Sequence, residues 1–269
     1  MRGVRRQIVA LGGGGFSMEA GNPLLDDYVL GLTRSERPRV CFLPSASGDA
    51  DHYIVRFYQA FAERFEASHV SLFRRGATVD VRKHLLAQDL IYVGGGSVVS
   101  LLGVWRAHGL DSVMREAWEA GVVLCGVSAG SLCWFAEGIT GFHGPPEHYR
   151  GLGLLGCSNT VHYDAEHARE DAYRAALRQG MRPGYAAGDG AALHFAGERL
   201  LRVVSSRPDA RAFRMRSVRG RVIKSPLRVS YLGEGASPAL EPSAPARLAA
   251  VPRPPALAGT AVSARRAAG

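Results

Sequence analysis

Short apolar runs alternate with stretches of helical periodicity through the first half of the chain. Residues 7–11 (QIVAL) read as a strand that stops at Gly12-Gly13-Gly14-Gly15, and a helix is expected over about 22–33. Residues 39–43 form a second strand signal, ending at Pro44-Ser45-Ala46-Ser47-Gly48. Ile54, Phe57, Tyr58, Phe61 and Phe65 recur at helical spacing and predict a helix over 53–66. Further strands are expected at 69–73 and at 90–93, the latter running into Gly94-Gly95-Gly96. Residues 98–107 and 110–119 read as helices. Residues 122–125 are a continuous apolar run of the kind found in the middle of a parallel sheet.

This alternation predicts an α/β fold: a doubly wound, mostly parallel sheet with helices on both faces. Ligands of such sheets bind at the carboxyl ends of the strands. After about residue 187 the pattern changes to short alternating runs (200–204, 212–215, 221–223), expected as a small antiparallel C-terminal extension. Residues 1–232 are thus read as one domain. Residues 233–269 are rich in Ala, Pro, Gly, Ser and Arg without periodicity, and are read as a disordered tail.

Composition narrows the function classes. With 269 residues, 46% of them hydrophobic, the chain can bury a sizeable core. Its apolar runs are far shorter than the roughly 18 residues of a membrane span. The basic N-terminus leads into a strand and four glycines, which is not the pattern of a signal peptide. A cytoplasmic location without membrane partners is therefore expected. The four cysteines have no CxxC spacing, so free buried thiols are expected, not a zinc site or a disulfide framework. The net charge of +9 is local: residues 199–228 alone carry +9, the tail from residue 233 carries +2, and the remainder is −2. The strip has no aromatic-rich binding motif, so it reads as a solvated Arg-rich margin and no nucleic-acid partner is expected.

The chemistry centres on Gly126-Val127-Ser128-Ala129-Gly130, a G-x-S-x-G that follows an apolar strand and precedes a helix-compatible stretch at 131–137. A sharp strand-to-helix turn lifts a serine Oγ above the sheet, where backbone N–H groups at the helix start can hold an oxyanion. The serine needs a base and the base an orienting acid. Among nine histidines, His162 follows the strand-like Asn159-Thr160-Val161 and can reach the elbow from a strand-end loop. Asp189, in Gly188-Asp189-Gly190, and Asp164 both remain open as the acid.

The runs Tyr92-Val93-Gly94-Gly95-Gly96-Ser97 and Gly126-Val127-Ser128-Ala129-Gly130-Ser131 resemble the aspartyl dipeptidase (peptidase E) family and the related cyanophycinases. Leu11-Gly12-Gly13-Gly14, Phe42-Leu43-Pro44-Ser45-Ala46, Val161-His162-Tyr163-Asp164 and Gly188-Asp189-Gly190-Ala191-Ala192-Leu193 extend the resemblance over about 7–232. It implies a fold like that of class I glutamine amidotransferases and a metal-free, cofactor-free serine peptidase acting on short peptides. Carried over, Ser128 is the nucleophile, His162 the base and Asp189 the third member. Gly95, Gly96 and Ala129 supply the oxyanion hole, and Arg169 is placed to read a substrate carboxylate. Ser97 departs from an Asn common in relatives, and residues 142–156 do not follow the enterobacterial type. The resemblance points to Asp-X dipeptides; a monomer or homodimer is expected. Two other readings stand beside it: a hydrolase of another amide or isopeptide, and a non-catalytic protein binding through the 199–228 strip.

Overall fold

The computed structural model describes residues 6–74, 80–164 and 167–233. They lie in a compact unit, Met1–Ala239; a second unit, Leu240–Gly269, and with it nearly all of the expected tail, lies outside the described residues. In chain order the strands are β1 (Gln7–Leu11), β2 (Arg39–Leu43), β3 (Glu66–His69), β4 (Leu90–Val93), β5 (Val123–Val127), β6 (Phe135–Thr140), β7 (Glu147–Arg150), β8 (Leu155–Thr160), β9 (Gly184–Ala187), β10 (Ala191–Ala196), β11 (Arg199–Ser205), β12 (Ala212–Val218), β13 (Arg221–Pro226) and β14 (Val229–Tyr231). The helices are α1 (Leu24–Leu30), α2 (Asp51–Phe61), α3 (Val81–Leu86), α4 (Val98–Ala107), α5 (Leu110–Ala120), α6 (Ala129–Leu132) and α7 (His167–Arg178).

The first sheet has the order β14-β11-β10-β1-β5-β4-β2-β3. Strands β1, β5, β4, β2 and β3 are parallel, and β10 runs antiparallel to both β1 and β11. Side chains of β1 alternate between two cores, as a strand covered on both faces must. Ile8 and Ala10 join Ile91, Val93 and Leu124 beneath Leu101, Trp105, Met114 and Trp118 of α4 and α5. Val9 and Leu11 join Phe42, Tyr92 and Cys125 beneath Leu25 and Val29 of α1 and Phe57 and Phe61 of α2. Each large apolar side chain so buried stabilises the fold by about 1.5–3 kcal/mol relative to exposure. Helices therefore lie on both faces, as the periodicity predicts.

The second sheet, β13-β12-β9-β8-β6-β7, is where structure and sequence part. Its inner strands β6, β8 and β9 are parallel, and β7, β12 and β13 are antiparallel. Phe135, Leu155 and Tyr185 pack into the first core, while Ile139, Tyr163 and Met215 pack with Tyr173 and Leu177 of α7. The C-terminal extension is thus divided: β10 and β11 widen the first sheet, and β12 and β13 widen the second. The helix expected after Ser128 is one turn only, because β6 begins at Phe135. Strand β3 ends at His69, short of the expected 69–73. There Asp49 Oδ2 accepts the N–H groups of Leu72 at 2.6 Å and Phe73 at 2.8 Å, which draws that segment into a loop.

All four cysteines are free, and Cys41, Cys125 and Cys133 are buried. Burial pushes the Cys41 thiol up to about 12, so it is not a thiolate at neutral pH. The basic strip is divided between the two sheets, and part of it is engaged internally. Lys224 bonds Glu170 and lies over the rings of Tyr163 and Phe213, Arg214 stacks on Tyr185, and Arg207 pairs with Glu19. Among the described residues, no helix is long and apolar enough to cross a membrane.

Candidate active site

Strand β5 is apolar and fully buried up to Val127, and α6 begins at Ala129, so Ser128 must make the whole turn between them. It does so at φ 54°, ψ −112°, a strained conformation for a residue with a side chain. The flanking glycines permit the crossing by close approach. A Cβ on Gly126 would lie 2.1 Å from the Gly130 carbonyl oxygen, and one on Gly130 would lie 2.2 Å from that of Val93.

His162 follows β8 and also has a positive φ, 52°. Its Nε2 lies 2.9 Å from Ser128 Oγ, and its Nδ1 lies 2.6 Å from Asp189 Oδ1. Burial pushes Asp189 up, but the hydrogen bond and charge of His162, with the charges of Arg207 and Arg169, outweigh it and hold the carboxyl below the usual range. An ionised Asp189 only accepts, so Nδ1–H donates to it and the Nε2 lone pair faces the serine hydroxyl. This is the tautomer a general base needs.

The three segments share one support. Leu11, Gly12 and Gly13, at the end of β1, offer three successive carbonyls. Ser128 N–H donates to Leu11 O at 3.2 Å, His162 N–H to Gly12 O at 3.2 Å and Gly190 N–H to Gly13 O at 3.0 Å. Gly13 has no room for a side chain: a Cβ would stand 2.0 Å from Asp189 Oδ1 and 3.1 Å from His162 Cε1. The glycine run read as a strand terminator is therefore also the seat of the His–Asp pair.

Asp164, the competing acid, points elsewhere. It lines a polar cleft of about 370 Å³ with Glu170, Arg211 and Lys224, where burial raises its pKa. Arg169 is 5% exposed, and its Nη1 donates to the Val161 carbonyl at 3.0 Å. In this structure it braces the segment carrying His162; it is not an open surface cation, so the expected carboxylate-reading position is not what the geometry displays.

The expected oxyanion donors divide. Ala129 opens the first turn of α6, where N–H groups lack intrahelical partners. Gly96 lies on the loop after β4, which is tied to the end of β2 by Gly94 N–H to Leu43 O and to the loop after it by Ser97 N–H to Ala46 O. The Gly95 N–H, however, is engaged: it donates to Tyr53 Oη at 3.0 Å. Tyr53 is absent from the candidates read in the sequence, because its spacing on α2 is that of a core residue. Ser97 Oγ lies 2.7 Å from Nε2 of His143 on the β6–β7 connection, so that poorly matched segment joins the oxyanion loop.

Comparison with known proteins identifies the family and the fold. The model of peptidase family S51 matches residues 8–203. The uncharacterized peptidase YgaJ of Bacillus subtilis (strain 168) is 47% identical over 230 residues, covering 85% of this chain and all of that protein. The crystal structure of a peptidase from an acI-B1 Actinobacterium superposes with a TM-score of 0.62 at 16% identity, over 83% of this chain and 96% of the other. A putative peptidase E protein from Listeria monocytogenes EGD-e gives 0.52 at 16% identity, over 83% and 100%. At such identities the two solved structures speak for the fold.

Proposed function

The chain belongs to peptidase family S51 and is a serine peptidase; from that premise we propose that Ser128, His162 and Asp189 perform the hydrolysis and that short peptides, Asp-X dipeptides first among them, are its substrates. The observation that carries the reading is the unbroken hydrogen-bonded series from Ser128 Oγ through the imidazole to Asp189, at 2.9 and 2.6 Å.

In this mechanism His162 Nε2 takes the Ser128 proton as Oγ attacks the scissile carbonyl. The oxyanion is held by backbone N–H groups of Ala129 and Gly96. Asp189 fixes the imidazole tautomer and stabilises the imidazolium. His162 then gives its proton to the leaving amine, and water, activated by the same nitrogen, releases the acyl group from Ser128. The preference for an N-terminal aspartate rests on the family resemblance.

The test is a dipeptide panel, Asp-X against Glu-X, Ala-X and Lys-X, with a Ser128→Ala control. Ser128→Ala is expected to lower kcat by at least about 10³-fold with the fold intact. A full peptidase rate in that variant refutes the mechanism. Preferential turnover of another class, such as an isopeptide, refutes the substrate assignment alone.

A further inference from the structure

Tyr53 is buried at 7% exposure, and its hydroxyl is bonded to the glycine loop beside the nucleophile. Its Oη accepts the Gly95 N–H at 3.0 Å and donates its own proton to Ser17 Oγ at 2.7 Å. Tyrosine and nucleophile border the same space beside Gly95. A Cβ there would stand 3.4 Å from Ser128 Cβ and 3.9 Å from Tyr53 Oη. The ring is fixed by Phe16 and Phe42, at centroid distances of 5.7 and 5.0 Å.

Two consequences follow. The Gly95 N–H is already engaged, so it cannot serve an oxyanion unless that bond breaks. The hydroxyl that engages it carries one proton, directed in the resting enzyme at a neutral acceptor. Burial raises the Tyr53 pKa, so this proton stays in place across the neutral range.

We propose that Tyr53 is a catalytic residue of the peptidase reaction, whose hydroxyl rotates from Ser17 Oγ to donate a hydrogen bond to the oxyanion formed on Ser128 attack. The inference rests on Ser128 being the nucleophile. No covalent bond changes at Tyr53: the proton remains on Oη, the lone pair keeps the Gly95 N–H, and only the O–H direction turns. A hydrogen bond to a neutral hydroxyl is exchanged for one to an anion, which is roughly twice as strong. The gain exists only once negative charge develops, so it acts on kcat and not on ground-state binding.

Tyr53→Phe keeps the ring and its packing, and is expected to lower kcat about 10²-fold with KM changed less than about threefold. The affinity of a peptide aldehyde, which forms a tetrahedral adduct with the serine, is expected to fall by a similar factor. Ser17→Ala separates a catalytic from a structural role. Arg56 still holds the Ser17 backbone, so the turn survives, and the Tyr53 proton no longer has a resting acceptor to leave. Its kcat is expected to fall far less than that of Tyr53→Phe, by under about tenfold. If Tyr53 merely secured the loop through the Ser17–Tyr53–Gly95 series, both variants would lose activity alike, and that result overturns the proposal. So does a Tyr53→Phe enzyme with normal kcat, or one altered in KM alone. All assays use the dipeptide that the wild-type enzyme cleaves fastest. An active Ser128→Ala control indicts the nucleophile assignment separately.

Discussion

Replacing Asp189 with Asn tests the triad at its most specific joint. The side chain keeps its size, and the neighbours of the carboxylate are unchanged. What changes is the donor pattern 2.6 Å from His162 Nδ1. An amide turned to present Nδ2–H to that nitrogen makes Nδ1 the acceptor, and the imidazole proton moves to Nε2. Nε2, 2.9 Å from Ser128 Oγ, then donates to the serine instead of accepting from it. The base is lost although every atom stays near its place. For a serine triad this wrong tautomer costs roughly 10⁴-fold in kcat, or about 5.5 kcal/mol of transition-state stabilisation. Asp164→Asn provides the contrast, because Asp164 lies on the 370 Å³ cleft and not on the imidazole; its loss is expected to stay below about tenfold. The assay is steady-state dipeptide hydrolysis for both variants, with circular dichroism and thermal melts to establish folding. Near-normal kcat in a folded Asp189→Asn enzyme, or a heavier loss in Asp164→Asn, refutes the reasoning.

Two further outcomes follow from close packing and from burial. Gly13→Ala puts a methyl 2.0 Å from Asp189 Oδ1, so kcat is expected to fall at least about 10²-fold while stability drops by only about 1–3 kcal/mol; a melt with parallel kinetics separates the two, and an active variant refutes the packing argument. Asp26 is buried against Tyr92, and desolvation raises its pKa from 3.8 to about 7. A raised carboxyl pKa favours the folded state most below pH 3.8, and that stability is lost as pH rises to about 7, by at most about 4 kcal/mol. Melts across pH 4–8 should show this decline in the wild type and not in Asp26→Asn; parallel curves refute it.

The fold was legible where one strand carries one signal. Strands β1, β2 and β4 and helix α4 stand on the residues the pattern indicates, because a buried parallel strand is a continuous apolar run bounded by glycine. The second sheet was legible only in part: β12 and β13 cover the runs at 212–215 and 221–223, whereas β6 and β7 gave no strand signal. Strand β7 is Glu-His-Tyr-Arg with only Tyr149 buried, and β8 pairs Ser158 and Asn159 with neighbours instead of showing apolar alternation. For the site, the elbow and the choice of His162 followed from residue pattern. Pattern alone left Asp189 and Asp164 open, since both sit in polar turns after strand-like runs and Asp164 is the nearer to His162 in the chain; the family resemblance favoured Asp189, and the hydrogen bond to His162 Nδ1 lies with it. Tyr53 was hidden for a different reason: a buried aromatic at helical spacing looks the same whether its hydroxyl faces the core or a reaction.

The seat formed by Leu11, Gly12 and Gly13 also bears on how the enzyme comes into being. Its carbonyls belong to β1, the first strand of the described residues, while the N–H groups they receive arrive more than about 100 residues later. Contacts this distant in sequence close late, because the intervening chain must first be ordered. A nascent chain that has exposed Ser128 still lacks its imidazole, and one that has exposed His162 still lacks its acid. With the proposed triad, hydrolytic competence requires the chain to extend past Gly190 and to pack back onto β1. On that reading, Ser128 is activated as a consequence of completing the fold.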